Sequence, residues 1–412
     1  MTAARSAALS AASVPAAFVV ANAISYALLL VAAHTLSAPD YGELSSLLGL
    51  LLVSTIPMLA LQTVSARRVA TATGADGLVR GTAVVALLAA AVLLVLSPAL
   101  AAFLRLSSVL GIVLVAATVP ASAVLGTALG VAQGRRHFTS LALLTLAATG
   151  GRSAGGLVGL FAGRSPDTTL TGILVGTTVA ALAAASAGRG LAGHRAALYR
   201  RARVGMVNET LHAGHALGVF LLLTSLDVLL ARHVLSDADA GAYAVGSVIT
   251  RAALWLPQSV ISLMFASLSE AERHHRTARS AAAVVLGLGS CVVLATAALG
   301  PFAVDVVGGS KYHRLDDTVW LFTLLGSLLS LVQLAILAGL AQRRTRRVLL
   351  LWATIAVDLA VVLGVGHVSA PDRLVITLVA ITSGAAAVAL WLTLRRPASA
   401  QGVASEGQVP GV

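Results

Sequence analysis

The chain has 412 residues, of which 58% are hydrophobic and only 11% are charged. A soluble domain carries about 25% charged residues, so this composition excludes a soluble globular protein and a disordered one. The formal net charge of +12 comes from 28 basic and 16 acidic residues. Because the basic residues are spread along the chain and aromatic residues make up only 4% of it, a nucleic-acid partner is not expected.

Apolar runs long enough to cross the hydrocarbon core of a membrane recur from end to end, with short polar breaks between them. The runs are continuously apolar and do not alternate, which favours helices over a β-barrel. We therefore predict an all-α integral membrane protein with about twelve transmembrane helices. The predicted spans are 14–36, 44–66, 81–103, 108–131, 138–161, 169–187, 210–233, 243–268, 280–304, 318–341, 348–367 and 374–394.

The positions of the basic residues predict the orientation. If the N-terminus is cytoplasmic, 20 basic residues fall in inner segments, six fall at outer ends, and only Arg152 and Arg251 remain inside spans. This bias predicts that both termini are cytoplasmic. The use of 27 arginines and one lysine is typical of a GC-rich bacterial genome, so a bacterial inner membrane is the expected location.

An internal repeat divides the chain. The sequence HTLSAPDYG at 34–42 matches HVLSDADAG at 233–241 in five of nine positions, and a proline follows in the next span both times. We predict two parallel six-helix lobes at 1–187 and 210–394, joined by a basic cytoplasmic linker at 188–209. Residues 395–412 are expected to form a disordered cytoplasmic tail. Two parallel lobes of this kind are the ground plan of an alternating-access transporter.

These motifs resemble a known superfamily. The segment LSAPDYGEL at 36–44 precedes a proline-containing helix that ends in Ala-Arg-Arg at 66–68. With LDVLLARHVLS at 226–236, and with Arg251 and Pro257, it resembles the polysaccharide exporters of the multidrug/oligosaccharidyl-lipid/polysaccharide exporter superfamily, which includes O-antigen flippases. The resemblance implies a MATE-like transporter fold that exports a lipid-linked oligosaccharide or polysaccharide precursor by alternating access.

The resemblance also implies partners: a lipid-linked saccharide of the polyprenyl phosphate or pyrophosphate type, and membrane lipids. Polysaccharide glycosyltransferases or a polymerase are further candidates. Two alternatives remain open. One is a cation-coupled multidrug exporter of the same fold, and the other is a membrane scaffold for polysaccharide synthesis that transports nothing.

Charged side chains inside spans are costly and therefore mark candidate functional sites. The resemblance implies a cavity lined partly by cations, and Arg152 and Arg251 are the predicted substrate-cavity residues. The planar fork of arginine suits phosphate oxygens. Asp227 and Asp358 are candidates for ion coupling or for structural ion pairs with these arginines.

No enzyme and no cofactor are expected, because the chain has no phosphate-binding loop of the G-x-x-x-x-G-K-[ST] type and no catalytic set in a water-exposed domain. Glu209, His212 and His215 share a helix face, but no second ligand helix is evident, so no metal site is predicted. Glycines spaced by four residues predict close helix packing in two spans. These are Gly126, Gly130 and Gly134, and Gly151, Gly155, Gly159 and Gly163.

Overall fold

The computed structural model describes residues 2–71, 78–192, 206–257, 274–341, 348–366, 368 and 370–394. Within these ranges the chain forms fourteen α-helices and one 3-10 helix, and no β-strand. The α-helices are α1 (Thr2–Thr35), α2 (Ala38–Ser54), α3 (Ile56–Ala70), α4 (Leu78–Phe103), α5 (Leu110–Gly134), α6 (Phe138–Gly163), α7 (Pro166–Ala192), α8 (Met206–Val234), α9 (Asp237–Trp255), α10 (His274–Ala298), α11 (Gly300–Gly308), α12 (Val319–Ala341), α13 (Val348–Val365) and α14 (Pro371–Leu394). The 3-10 helix covers Ser310–Leu315.

Ten helical segments among the described residues are long and apolar enough to cross a membrane, and each coincides with a predicted span. The predicted span 210–233 lies within α8, and the span 243–268 begins in α9. Residues 258–268, most of the linker and the tail at 395–412 lie outside the described residues. The prediction of an all-α, multi-span membrane protein is confirmed.

One predicted span is broken in its middle. The span 44–66 runs through most of α2 and α3, which meet at Thr55, two residues before Pro57. Proline has no N–H to continue the helical ladder. Both the backbone N–H and the hydroxyl of Thr55 bond to the carbonyl of Leu52, at 3.1 and 2.6 Å. The turn thus tightens locally and keeps its polar groups bonded inside the apolar segment.

Glycine faces bring α6 and α7 into backbone contact. A Cβ at Gly151 would lie 3.2 Å from the carbonyl oxygen of Gly176, and a Cβ at Gly155 would collide with the carbonyl oxygen of Gly172. The glycines of α5 meet the backbone of α3 in the same way, and Gly126 faces the carbonyl of Met58. The predicted close packing at both sets of glycines is confirmed.

The chain divides into two compact units. Unit one comprises Met1–Val245, Val304–His313 and Gly366–Pro371, and unit two comprises the remainder. Although α8 begins the second sequence repeat, it belongs to unit one, where it packs against α2 and α3. The predicted lobes at 1–187 and 210–394 stay a prediction.

Unit two is built around α12. Its Phe322 is fully buried, and the hydroxyl of Thr250 on α9 donates to the Phe322 carbonyl at 2.9 Å. The hydroxyls of Thr296 on α10 and Thr323 on α12 lie 2.9 Å apart. Hydroxyls thus bond across three helices in an otherwise apolar interior, as is usual in membrane helix packing.

Candidate functional site

The two copies of the sequence repeat have the same local structure. Ser37 caps α2: its hydroxyl accepts from the backbone N–H of Asp40 at 3.3 Å and donates to the Asp40 carboxylate at 2.5 Å. Ser236 makes the same two bonds to Asp239 at the start of α9, at 3.2 and 2.6 Å. A serine at the N-cap satisfies an unpaired helix donor, and an acid in the first turn favours the helix dipole.

These two capped ends touch each other within unit one. A Cβ at Gly42 would lie only 2.8 Å from the backbone nitrogen of Gly241, and one at Gly241 would collide with the carbonyl of Ala38. Only a residue without a side chain allows two helix starts to approach so closely. The two copies of the repeat have the same local geometry, and through Gly42 and Gly241 they contact each other.

An ion cluster surrounds this contact, with Arg232 at its centre, and we call it the outer ion cluster after the orientation that the sequence predicts. The Arg232 side chain is only 4% exposed. Its guanidinium pairs with Glu43 at 3.4 Å and with Asp237 at 3.1 Å, and its Nε donates to the carbonyl of Leu104 at 3.0 Å. A buried arginine is tolerated when its charge is paired, and two carboxylates pair with Arg232. Its Nε and Nη2 are hydrogen-bonded, whereas the buried Nη1 has only the ion-pair contact with Asp237 among the described residues.

The turn after α4 completes the outer ion cluster. Arg105 has a left-handed backbone (φ 47°), and its guanidinium donates to the carbonyls of Arg232 and Leu235 and pairs with Asp237 at 3.3 Å. Ser107 donates to Glu43 at 3.2 Å. Side chains from α2, α8 and α9 and from the turn after α4 therefore converge on one cluster. We define it by Glu43, Arg105, Arg232 and Asp237.

Lys311, the single lysine of the chain, lies outside the spans and closes the end of α1. Its Nζ donates to the carbonyl of Leu36 at 2.6 Å, where the last carbonyls of a helix lack intrahelical donors. Partial burial lowers the pKa of Lys311. A cation at the C-terminal end of a helix also favours the helix dipole.

An ion pair lies near the opposite end of α8, and we call it the inner ion pair after the orientation that the sequence predicts. Glu209, in the first turn of α8, is approached by two arginines at the end of α3. The Arg68 Nη2 lies 3.2 Å from Glu209 Oε1, the Arg68 Nε donates to Oε2 at 3.2 Å, and Arg67 Nη2 lies 3.4 Å from Oε2. The carboxylate of Glu209 is thus bound to arginines. Among the described residues no three histidine, cysteine or acidic side chains form a metal-binding group.

Arg152 lies halfway along α6 in unit one. It is half-buried, and it has no ion pair and no hydrogen bond with any side chain or carbonyl of the described residues. Its neighbours Gly151 and Gly155 pack against α7, and Ser153 faces Ser25 of α1 with hydroxyl oxygens 3.0 Å apart. Arg152 thus lies inside the helix that contains the predicted span 138–161, and its role as a substrate-cavity residue stays a prediction.

The other three predicted residues lie on three further helices. Asp227 is on α8 in unit one, whereas Arg251 on α9 and Asp358 on α13 belong to unit two. Asp227 and Asp358 are 9% and 3% exposed and both interact with other groups. Arg251 is half-buried, and its Nε and Nη2 are buried without a hydrogen-bond partner in the described part of the chain. The shared cavity of Arg152 and Arg251 stays a prediction, and so do the ion pairs of the two aspartates.

Sequence reasoning missed both the outer ion cluster and the inner ion pair. It assigned Arg67 and Arg68 to membrane topology, because positively charged inner ends of spans are expected on that ground alone, and it counted Arg105 and Arg232 among the six basic residues at outer ends without giving them a role. The signal that could have found the outer ion cluster is the repeat itself. An acid and a basic residue directly adjoin its two copies, at Glu43 and Arg232.

No protein-family model and no curated protein sequence matches the chain. Among solved structures it is similar to a multidrug resistance MATE family transporter of the MOP superfamily in an outward-facing conformation, with TM-score 0.66 and 11% identity over 97% of this chain and 96% of that chain. It is similar to the lipid II flippase MurJ in an inward closed conformation, with TM-score 0.69 and 11% identity over 92% of this chain and 86% of that one. A mutant MATE transporter from Vibrio cholerae matches with TM-score 0.59 and 17% identity over 99% of both chains. The predicted MATE-like fold is therefore confirmed.

Proposed function

We propose that this protein is a membrane transporter that exports a lipid-linked oligosaccharide or polysaccharide precursor by alternating access between its two predicted lobes. The observation that carries the proposal is Arg152, a half-buried cation halfway along a membrane helix with no counter-ion among the described residues. An intramembrane charge is costly unless it faces water or binds an opposite charge. An anionic substrate, such as a lipid-linked phosphate or pyrophosphate, supplies that charge.

Arg251 supports the same substrate class. Two of its guanidinium nitrogens are buried and have no hydrogen-bond partner in the described part of the chain. A buried donor without an acceptor is destabilising, and phosphate oxygens match the arginine fork in both geometry and charge. One arginine comes from each copy of the sequence repeat, as expected if both predicted lobes contribute to the binding of an anion.

The proposal has a direct test in proteoliposomes that contain the purified protein and a fluorescent lipid-linked sugar. We expect Arg152→Ala and Arg251→Ala each to lower the flux about tenfold or more, since a hydrogen bond to a charged group contributes roughly 1.5–3 kcal/mol. Arg80→Ala is the matched control, because Arg80 is an exposed arginine at the start of α4. Full flux in both cavity variants, with normal insertion, would refute the assignment of these arginines.

The multidrug exporter remains a second candidate, because one of the solved structures of similar fold is named as a multidrug resistance transporter. Such an exporter is expected to move organic cations, and an unpaired arginine opposes cation binding. Extrusion of a cationic dye from the same proteoliposomes, without flux of the lipid-linked sugar, would favour this candidate. The absence of flux for both substrates would favour the scaffold.

We propose a non-enzymatic protein of the bacterial inner membrane with both termini in the cytoplasm, in contact with membrane lipids and with polysaccharide glycosyltransferases or a polymerase. Asp227 and Asp358 remain candidates for ion coupling or structural ion pairs. Replacement of either aspartate by asparagine should change the dependence of the flux on pH or sodium if that residue couples an ion.

A further inference from the structure

The inner ion pair of Arg68 and Glu209 leaves one donor group unused. The Arg68 side chain is 7% exposed and that of Glu209 is 33% exposed. Glu209 accepts from Nε and lies beside Nη2, whereas Nη1 of Arg68 is buried and has no hydrogen-bond partner among the described residues. A carboxylate thus occupies one edge of a guanidinium whose other edge stays unsatisfied.

A phosphate group fits this arrangement better than the carboxylate. It presents three acceptor oxygens and greater charge, so it can bond to one edge of a guanidinium and to a neighbouring guanidinium at once, and the second phosphate of a diphosphate can reach the other edge. Arg67 stands next to Arg68, is 69% exposed, and lies 3.4 Å from the same carboxylate. An entering anion would therefore meet Arg67 first.

The position of Glu209 favours any anion that takes its place. Glu209 lies in the first turn of α8, which begins at Met206. The N-terminus of a helix carries a partial positive charge and unpaired N–H groups, which favour phosphate as they favour a carboxylate. Glu209 is 33% exposed and Arg67 is 69% exposed, so water screens their contact and it is weak enough to exchange. The Arg68 side chain is 7% exposed and supplies a less screened charge for the entering anion.

We propose that Arg67 and Arg68 bind the phosphate of a lipid headgroup by displacing Glu209, and that this exchange releases the start of α8 from the end of α3. The ligand class is a lipid phosphate monoester or diphosphate that enters from the arginine-rich side of the membrane. The inference rests on the proposed function for the identity of the transported lipid. The anion site and the competition with Glu209 are independent of transport.

Binding to the purified full-length protein in nanodiscs tests the competition, with farnesyl diphosphate and inorganic pyrophosphate as separate probes. We expect Glu209→Gln to bind farnesyl diphosphate roughly 3- to 10-fold more tightly, since the variant removes the internal competitor. We expect Arg68→Lys to bind it about tenfold more weakly, because lysine lacks the fork. Arg80→Lys is the matched control for Arg68→Lys, because it makes the same exchange at an exposed arginine, and it should bind as the unmodified protein does.

Spin labels test the release of α8. The background is Cys291→Ser, which removes the only cysteine, and the labelled positions are Ala70→Cys on α3 and Leu211→Cys on α8, both exposed. Farnesyl diphosphate should lengthen the distance between the labels. Glu209→Gln should lengthen it without ligand. If inorganic pyrophosphate acts equally well, the site binds a free phosphate; if only the lipid acts, it binds a headgroup, and either result supports the site.

Two results would overturn the inference: equal affinity of Glu209→Gln and the unmodified protein, or an equal loss of binding in Arg80→Lys and Arg68→Lys. An unchanged label distance at saturating ligand would overturn the release of α8. Failure of the proposed function is seen separately. Binding and release would then persist while the flux of lipid-linked sugar is absent.

Discussion

Arg232 is a buried cation whose charge is shared between two carboxylates of very different exposure. Glu43 is 15% exposed, whereas Asp237 is 56% exposed. The carbonyls of Leu104 and Arg105 accept further hydrogen bonds from the same guanidinium. Because water screens Asp237 and not Glu43, the two ion pairs should contribute unequally to stability.

Residue-scale variants can measure this inequality. We expect Glu43→Gln to lower the free energy of unfolding by about 1–3 kcal/mol, since it removes the buried charge opposite Arg232 and leaves the remaining partners in place. Asp237→Asn should cost less than about 1 kcal/mol, because exposed ion pairs contribute little. Unfolding in mixed detergent micelles measures both values. A larger loss in Asp237→Asn than in Glu43→Gln would contradict the assignment of the buried partner.

At the scale of elements, the contact between α6 and α7 is made by backbone rather than by side chains. Gly155 faces the carbonyl of Gly172, and Gly159 faces the carbonyl of Thr168. In a membrane, lipid tails are as apolar as leucine, so helices associate through close van der Waals packing and polar contacts. The glycines of α6, the helix that carries Arg152, therefore hold α6 close to α7.

An added methyl group tests this packing. Gly155→Ala should destabilise the protein by roughly 1–3 kcal/mol, since its Cβ would collide with a carbonyl oxygen and separate the helices. Gly287→Ala on α10 is the matched control, because a Cβ there would meet nothing within 4 Å. The control should be neutral or stabilising by up to about 1 kcal/mol, since alanine is the better helix former. Thermal unfolding compares the two, and equal stability would refute the close contact.

Helix positions and glycine contacts were predictable because each depends on a local pattern. Apolar length defines a span, and glycine spacing defines a face that can approach a neighbour. The ion pairs were not predictable, since Arg232 and Glu43 stand 189 residues apart and Arg68 and Glu209 stand 141 apart. Their meeting depends on how helices pack. Arg68 also satisfies the positive-inside rule, so the sequence offers no separate sign of its pairing, whereas Arg232 is one of the six basic residues at predicted outer ends and adjoins the repeat.

At the scale of the whole molecule, the uneven distribution of the 28 basic residues predicts the orientation in the membrane. The ends that carry 20 of the 28 basic residues should remain in the cytoplasm. Single cysteines in the Cys291→Ser background can test this with a membrane-impermeant maleimide. Ser310→Cys lies exposed between α11 and α12, and Thr71→Cys lies exposed at the arginine-rich end of α3.

We expect Ser310→Cys to react in intact cells and Thr71→Cys to react only after the membrane is permeabilised. Neither substitution changes the charge of the chain, so the orientation itself should be undisturbed. The unlabelled Cys291→Ser protein controls for reaction elsewhere. The reverse labelling pattern would place the arginine-rich ends outside, and the lipid phosphate proposed to bind Arg67 and Arg68 would then have to enter from the outer leaflet.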